Sequence, residues 1–367
     1  MLPKYDHEYS IKDVLYSFKG LFHNYEKDTI KKLRKTFDYK HFILLDSGRS
    51  CLNLTLKYLD FPKESKIAVP INACEVVVDR ILENKLIPVF IDIDENLIIS
   101  LEDLEKKLKL EKDIKAVIPI YSYGNKYNII KLSKLCRKYK LEIIEDKAQT
   151  FSNKKNNSAC CSFISLDIAK YISAIKGGII MTDDDKLYNF IQKNIKKTNI
   201  GLMNLVEFLG FIVLTNEIVY TLITSRIKKM LKNKLFYSPK NQKLSSVNTA
   251  IAYSQIKKLK NIQKNRYDFI KYIEQKIKAI DTNIKIINNN RKDNLVLMIE
   301  DNKNSEFLKK VRNCIDLPEK VPLLSTIKKY KLYSKSKYEF CKVYDEIVLL
   351  PMYRKAYKKL KIILKSI

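Results

Sequence analysis

The chain has 367 residues, room for two domains at roughly 100–200 residues each. Hydrophobic residues make up 46% and charged residues 30%, a globular balance that excludes whole-chain disorder and fibrous structure. Lysine and arginine number 70 against 41 aspartates and glutamates, a net charge of +29, and most of the excess falls after residue 180. Such lopsided basicity suits a nucleic-acid binder, an acidic substrate, a membrane surface or a plain solvated face. The cysteines at 51, 74, 136, 160, 161, 314 and 341 form no CxxC pair, so they read as reduced thiols of a cytosolic protein. The three histidines, His7, His23 and His41, all precede residue 42, and a His/Cys metal site is not expected. The polar opening MLPKYDHEYS carries no sign of a secretory leader.

From residue 41 to 182 short apolar runs alternate with helical patterns. His41–Leu45 reads as a strand, and Asp46-Ser47-Gly48-Arg49-Ser50 turns the chain into a helix over Cys51–Leu59. A strand at Lys66–Val69 ends at Pro70, and a helix through Val76–Leu82 leads to a strand at Ile87–Ile91. Leu101–Leu110 has helical spacing, Ala116–Ile120 reads as a buried strand, and Ile129–Tyr139 as a basic-faced helix. A strand at Leu141–Ile144 then ends in Glu145-Asp146. This alternation predicts an α/β fold with a mostly parallel central sheet flanked by helices. Ligands of such sheets sit at the carboxyl ends of the strands, which selects the turns after residues 45, 69, 120 and 145.

Residues 199–235 interrupt this texture with an apolar helical insertion. It carries Glu207 and Glu217 and is followed by Arg226, Lys228, Lys229, Lys232 and Lys234. Helices at a subunit or domain interface are the first reading, an in-plane membrane-surface segment with a basic flank the second, and a true span the last. After Asn241 the pattern becomes lysine-rich and amphipathic, with a long helix over Val247–Ile273, a strand at Leu295–Ile299, a helix at Ser305–Arg312, and a strand and basic helix from Ile347 to the end. The expected organisation is a large α/β domain over 1–240 and a small α+β domain over 241–367.

Four local features can carry chemistry. Asp146, at the end of a buried strand, is placed to hold a cationic ring nitrogen where water is excluded; it reads equally as a helix cap. Lys170 lies between apolar stretches in Leu166-Asp-Ile-Ala-Lys170-Tyr-Ile-Ser-Ala-Ile-Lys-Gly177-Gly178. Desolvation there would favour Schiff-base chemistry, although a lysine in so basic a chain is more often a solvated surface residue. Ser47-Gly48-Arg49-Ser50 opens a helix after a strand, which is either a phosphate cradle or an ordinary capped start. Asn241-Gln242-Lys243 is a polar loop before a long helix.

In order along the chain these features resemble the DegT/DnrJ/StrS family of pyridoxal-phosphate sugar aminotransferases. The resemblance rests on Asp46-Ser-Gly48-Arg49-Ser50, the Ala68-Val-Pro70 strand end, Pro88-Val-Phe-Ile-Asp92-Ile-Asp94 and Val117-Ile-Pro119-Ile-Tyr-Ser-Tyr-Gly124. It continues through Ile144-Glu-Asp146-Lys-Ala-Gln149, the Lys170 segment with its double glycine, Asn241-Gln-Lys243 and Glu346-Ile-Val-Leu-Leu-Pro351.

The resemblance implies a fold type I, aspartate-aminotransferase-like homodimer using pyridoxal 5'-phosphate. Lys170 matches the lysine that carries the cofactor, Asp146 the partner of the pyridinium nitrogen and Gln149 the residue near the phenolic oxygen. Gly48, Arg49, Ser50 and Ser165 match the phosphate cup, Cys74 the position stacked on the ring, and Asn241 a residue reaching the neighbouring subunit's phosphate. The implied reaction moves an amino group from glutamate to a keto group of a nucleotide-linked sugar. Dehydrating members of the family replace the lysine with histidine, so Lys170 speaks for transamination; a membrane-associated or structural member that kept the fold and lost catalysis is a further alternative, against which the intact Asp146, Gln149 and Lys170 stand, and the ordered motifs put nucleic-acid binding last. Three departures stand out: Cys74 in place of an aromatic, Tyr121 in place of a frequent histidine, and Lys176 in place of a small or acidic residue.

Overall fold

The computed structural model describes the chain except residues 4, 5, 7, 8, 153, 169, 199–200, 227–239, 281–283, 288–294, 300–304, 319, 334–337, 339–343 and 366–367. Two helices, α1 (Ile11–Lys19) and α2 (Glu26–Arg34), precede the sheet. The sheet contains β1 (His41–Leu45), β2 (Lys66–Pro70), β3 (Ile87–Ile91), β4 (Ile114–Val117), β5 (Glu142–Asp146), β6 (Cys161–Ser165) and β7 (Gly178–Thr182), in the order β1-β7-β6-β5-β4-β2-β3. From β3 to β6 all pairings are parallel; β7 runs antiparallel to both β6 and β1. The near-continuous apolar strands follow from burial on both faces. The helices α3 (Gly48–Leu59), α4 (Glu75–Glu83), α5 (Leu101–Leu110), α6 (Ile129–Tyr139) and α7 (Asp185–Asn194) cover those faces. Side chains of Ser47, Ser100, Asn128 and Asp184 accept first-turn N–H groups of α3, α5, α6 and α7, so four helix starts are set by local sequence.

Two expected elements differ. The strand read over Ala116–Ile120 is shifted to Ile114–Val117, because Pro119 has no N–H for the ladder. The helix read over Val247–Ile273 is two helices, α10 (Ser246–Lys257) and α11 (Leu259–Ile280). At the break the Lys258 N–H bonds to Gln255 O at 3.0 Å, a tightened terminal turn, and the Lys258 ammonium is held by Ser10 Oγ at 2.8 Å and by Asp13.

The insertion forms α8 (Leu202–Thr215) and α9 (Glu217–Thr224), which meet at a 70° bend. Of its basic flank, Arg226 is described and exposed, and Lys228, Lys229, Lys232 and Lys234 lie outside the described residues. At the C-terminal end β8 (Ile284–Ile286), β9 (Leu295–Ile299) and β10 (Ile347–Leu350) form an antiparallel sheet in the order β10-β9-β8. Against it lie α12 (Glu306–Arg312) and α13 (Arg354–Ile363), and Phe269, Ile273, Leu297, Leu308, Val348 and Leu360 share one core. Leu2 joins that core, while Val247, Ile251 and Ile256 of α10 pack with Leu33, Phe42 and Phe208 of the larger layer. The hydrophobic cores therefore exchange material across the division read at residue 240.

Candidate active site

The carboxyl ends of β1, β5 and β6 converge, and the loop between β6 and β7 closes over them. At the end of β1 the chain enters α3 through Ser47. Its hydroxyl accepts the Ser50 N–H at 3.1 Å, and the Ser50 hydroxyl donates to Asp46 Oδ1 at 2.5 Å. The other Asp46 oxygen accepts the Lys240 N–H at 2.9 Å. A Cβ on Gly48 would lie 3.3 Å from Ser165 Cβ, so the end of β6 closes one side of this turn. Gly178, at the start of β7, runs so close beneath it that a Cβ would stand 2.6 Å from the Ser47 carbonyl. The result is a helix N-terminus with two hydroxyls at its mouth, a ready acceptor of an anionic group. Arg49 lies in its first turn, half-buried.

Asn241 completes this cup from within the same chain. Its N–H donates to Ser50 Oγ at 3.3 Å and its side-chain oxygen accepts from Asn53 at 3.1 Å. Bridges between Leu45 and Lys243 and between Lys196 and Gln242 hold the segment there. The resemblance assigns this residue to the neighbouring subunit's phosphate; within one chain it lies against Ser50. Gly48, Ser50, Ser165 and Asn241 are thus brought together.

Asp146 ends β5 almost fully buried, with one oxygen accepting the Ala148 N–H at 2.8 Å. Burial pushes its carboxyl up to about 6, against the opposing pull of that hydrogen bond and of the Lys170 charge. Lys170 is half-buried in the β6–β7 loop, and its influence on Asp146 places the two within electrostatic reach. Cys51 links this pair to the cup. Burial raises its thiol well above the usual range, and the neighbouring Cys161, Asp46 and Asp146 raise it further. Gln149 Oε1 accepts the Tyr123 N–H at 2.6 Å, and Tyr123 sits at φ 56°, a left-handed conformation uncommon for a bulky residue. Cys74 opens α4 with its side chain exposed. It lies close enough to influence the Tyr123 hydroxyl, behind burial and hydrogen bonding, so it stands at the mouth of the same crevice.

The Lys170 loop is anchored by the segment before α1 and by three helices. Tyr9 donates to Ser173 O at 3.2 Å, Asn248 of α10 to Ala174 O at 2.6 Å, and Lys176 to Glu207 of α8 at 2.7 Å. Arg266 of α11 stacks 4.1 Å over the Tyr171 ring. Next to the cup, Asp46, Lys176, Glu207, Lys240, Gln242 and Asn248 help line a cavity of about 930 Å³. Lys176, singled out in the sequence, is spent on Glu207.

Tyr121 also turns away from the crevice. Its hydroxyl donates to Glu145 at 3.0 Å, and the Tyr127 and Ser162 hydroxyls donate to the same carboxylate. Lys147 completes the set at 3.1 Å from Glu145, both side chains fully buried. Burial holds the Lys147 ammonium below the ordinary lysine range, against the attraction of Glu145. This network pins the strand end and the loop from which Asp146 and Gln149 project.

Sequence reasoning quoted Asp46 inside a motif without assigning it a part; the strand-end rule that found Asp146 applies to it equally. Tyr123 and the Glu207–Lys176 pair had no local signal, because one depends on an unusual backbone angle and the other on a contact 31 residues apart.

A doubly covered, mostly parallel sheet with one reversed strand and a strand-end crevice holding an anion cup, a buried carboxylate and a lysine defines an α/β enzyme fold with a built ligand site. The chain belongs to the DegT/DnrJ/EryC1/StrS aminotransferase family, which it matches over residues 10–359. It is 28% identical over 170 residues to a GDP-perosamine synthase of Vibrio cholerae, covering 45% of each chain. It is 26% identical over 199 residues, 51% of each, to a GDP-4-keto-6-deoxy-D-mannose 3-dehydratase of Escherichia coli O55:H7. These matches span about half the length of the curated relatives. The fold matches that of Helicobacter pylori PseC, an aminotransferase involved in pseudoaminic acid biosynthesis, with a TM-score of 0.76 at 15% identity over 99% of both chains.

Proposed function

We propose that the protein is a pyridoxal 5'-phosphate-dependent aminotransferase that moves an amino group from glutamate to a keto group of a nucleotide-linked sugar. The observation that carries this reading is the almost fully buried Asp146 carboxylate at the end of β5, beside an anion cup at the start of α3 built by Ser47, Ser50 and Asn241. The donor set fits the cofactor. A carboxylate in a dry crevice suits a protonated ring nitrogen, and a capped helix start with Ser50 suits a phosphate. When bound, the cofactor supplies an electron-withdrawing ring that accommodates the charge left by a departing α-proton.

Asp146 would hold the protonated ring nitrogen of the bound cofactor. The Lys170 amine would serve as the general base and then acid that handles the proton of the substrate's α-carbon. Ser50, the N–H groups of the α3 start and Asn241 hold the phosphate, Ser165 closes the cup, Gln149 borders the ring edge, and the exposed Cys74 borders its face. The basic surface draws in a diphosphate-bearing substrate. The reduced-thiol composition supports a cytoplasmic setting. One relative is named a dehydratase; lysine at 170, where dehydrating members carry histidine, favours transamination.

A homodimer is part of this proposal. On α1 the polar Asp13 and Ser17 are buried, while Ile11, Leu15 and Phe18 face outward, and Phe22 in the turn beyond the helix is 90% exposed. An outward apolar stripe at spacings of four and three suits a second helix.

The test is spectroscopic. Protein mixed with pyridoxal 5'-phosphate should show an absorbance band near the visible edge that sodium borohydride abolishes, and Lys170→Ala should show none. A chain that takes up no cofactor overturns the reading. Incubating the loaded protein with glutamate and a panel of keto-sugar nucleotides, read by product mass, identifies the acceptor.

A further inference from the structure

Asp46 follows β1 with its side chain turned toward the start of α3, and both of its oxygens are engaged there. One accepts the Ser50 hydroxyl at 2.5 Å and the other the Lys240 N–H at 2.9 Å. Its own N–H donates to Gln242 O at 3.0 Å. The residue is almost fully buried and borders the cavity beside the cup together with Lys176, Glu207 and Lys240. A carboxylate accepts hydrogen bonds and donates none. Asp46 therefore sets a negative charge, and no donor, one hydrogen bond away from a group expected to hold an anion.

Counting hydrogens at Ser50 shows what this does. A serine hydroxyl has one hydrogen and two lone pairs. The hydrogen of Ser50 lies on Asp46. Its lone pairs face the Asn241 N–H at 3.3 Å and the Ser47 hydroxyl at 3.1 Å, and since Ser50 has no second hydrogen to give, Ser47 is the donor in that contact. Both hydroxyls at the mouth of the cup thus point their hydrogens inward, Ser47 to Ser50 and Ser50 to Asp46. A chain of hydrogen bonds that ends on a charge is stronger than its neutral counterpart. A phosphate needs donors, so the hold that Ser50 offers it is conditional on Asp46 giving up the hydrogen.

We propose that Asp46 is a positioning residue that draws the Ser50 and Ser47 hydrogens away from the cup and so weakens its grip on a phosphate. The inference rests on the aminotransferase reading for the identity of the phosphate bearer, and on hydrogen bonding within the cup for everything else. The aminated form of the cofactor has no bond to a lysine, so it depends on non-covalent contacts, and a cup weakened by Asp46 releases it more readily. Asp46 also fixes Lys240, a structural part that ligands with and without a phosphate distinguish from the proposed one.

The experiment is titration calorimetry of the full chain with inorganic phosphate, with pyridoxamine 5'-phosphate and with pyridoxamine. In Asp46→Asn the amide oxygen can accept the Lys240 N–H while the amide nitrogen donates to Ser50, which frees the Ser50 hydrogen and removes the charge. This variant should bind inorganic phosphate and pyridoxamine 5'-phosphate at least about fivefold more tightly than the parent, with pyridoxamine changed less than about twofold. Ser50→Ala should cost phosphate affinity less than about twofold in the parent and at least about fivefold in the Asp46→Asn background. The proposal is overturned if Asp46→Asn binds inorganic phosphate no more tightly than the parent, or if neither protein binds it. It is also overturned if pyridoxamine gains as much as its phosphate ester, because Asp46 then shapes the crevice and not the cup. Should Asp46→Asn not fold, Ser50→Ala decides alone, and a loss above about twofold in the parent overturns the proposal. Tighter phosphate binding by Asp46→Asn in a protein that forms no borohydride-sensitive band with pyridoxal 5'-phosphate would support the role of Asp46 and overturn the aminotransferase reading.

Discussion

Glu207 on α8 grips Lys176 with both carboxylate oxygens, at 2.6 and 2.7 Å, and Lys176 lies six residues beyond Lys170 in the same loop. The insertion is therefore tied directly to the segment that carries the candidate reactive amine. Both side chains are about one-third exposed, 30% and 36%, so the pair itself is worth at most about 1 kcal/mol. Glu207→Gln should lower unfolding stability in urea by no more than that. It should also raise hydrogen exchange of the amides from 171 to 177 several-fold. Unchanged exchange would mean that Tyr9, Asn248 and Arg266 hold the loop without α8.

Asp146 titrates well above an ordinary carboxyl, at about 6 against 3.8, so the fold favours its protonated form. Without added cofactor, that contribution is complete below about pH 4 and is lost as pH rises through 6, a loss of about 3 kcal/mol. Asp146→Asn stays neutral at every pH. The stability difference between variant and parent should therefore shift in the variant's favour by about that amount from pH 4 to 7, measured by urea denaturation at each pH. A flat difference would mean that Asp146 is ionised throughout.

Lys147→Met should cost about 3–5 kcal/mol, because it removes the counter-charge of a fully buried Glu145 and leaves it only the Tyr121, Tyr127 and Ser162 hydroxyls. Glu145→Gln added to Lys147→Met should restore at least half of the loss. Both proteins can be compared by thermal and urea unfolding, and a double variant no more stable than the single would show that packing of the lysine stem, not charge, is what Lys147 supplies.

Gly178→Ala should destabilise by about 2–3 kcal/mol. The added methyl would stand 2.6 Å from the Ser47 carbonyl and 2.7 Å from Cys51 Sγ, neither of which can yield without moving the start of α3. Binding of pyridoxal 5'-phosphate, followed by absorbance titration, should weaken at least tenfold in the same variant. Parent-like affinity would separate the cup from the strand beneath it.

Much of this was legible along the chain. Apolar runs such as Phe42–Leu45 and Ile143–Ile144 identify strands covered on both faces, because only a doubly covered sheet buries consecutive side chains. Strand-end placement pointed to Asp146 and to the Ser47–Ser50 turn, and the order of the motifs pointed to the family. These are local or ordered signals, written in residue type and spacing.

Tertiary structure alone decided the rest, since each outcome depends on partners distant in sequence. Burial at the centre of the sheet raises the Asp146 carboxyl. The bridge between Leu45 and Lys243 delivers Asn241 to Ser50 of its own chain. Tyr121 and Lys147 converge on Glu145 behind the crevice instead of lining it, and Lys176 meets Glu207. Residue identity and period determine which elements form and where their chemistry-bearing ends lie. Desolvation and charge pairing depend on what surrounds a group in three dimensions, and a linear pattern does not contain that.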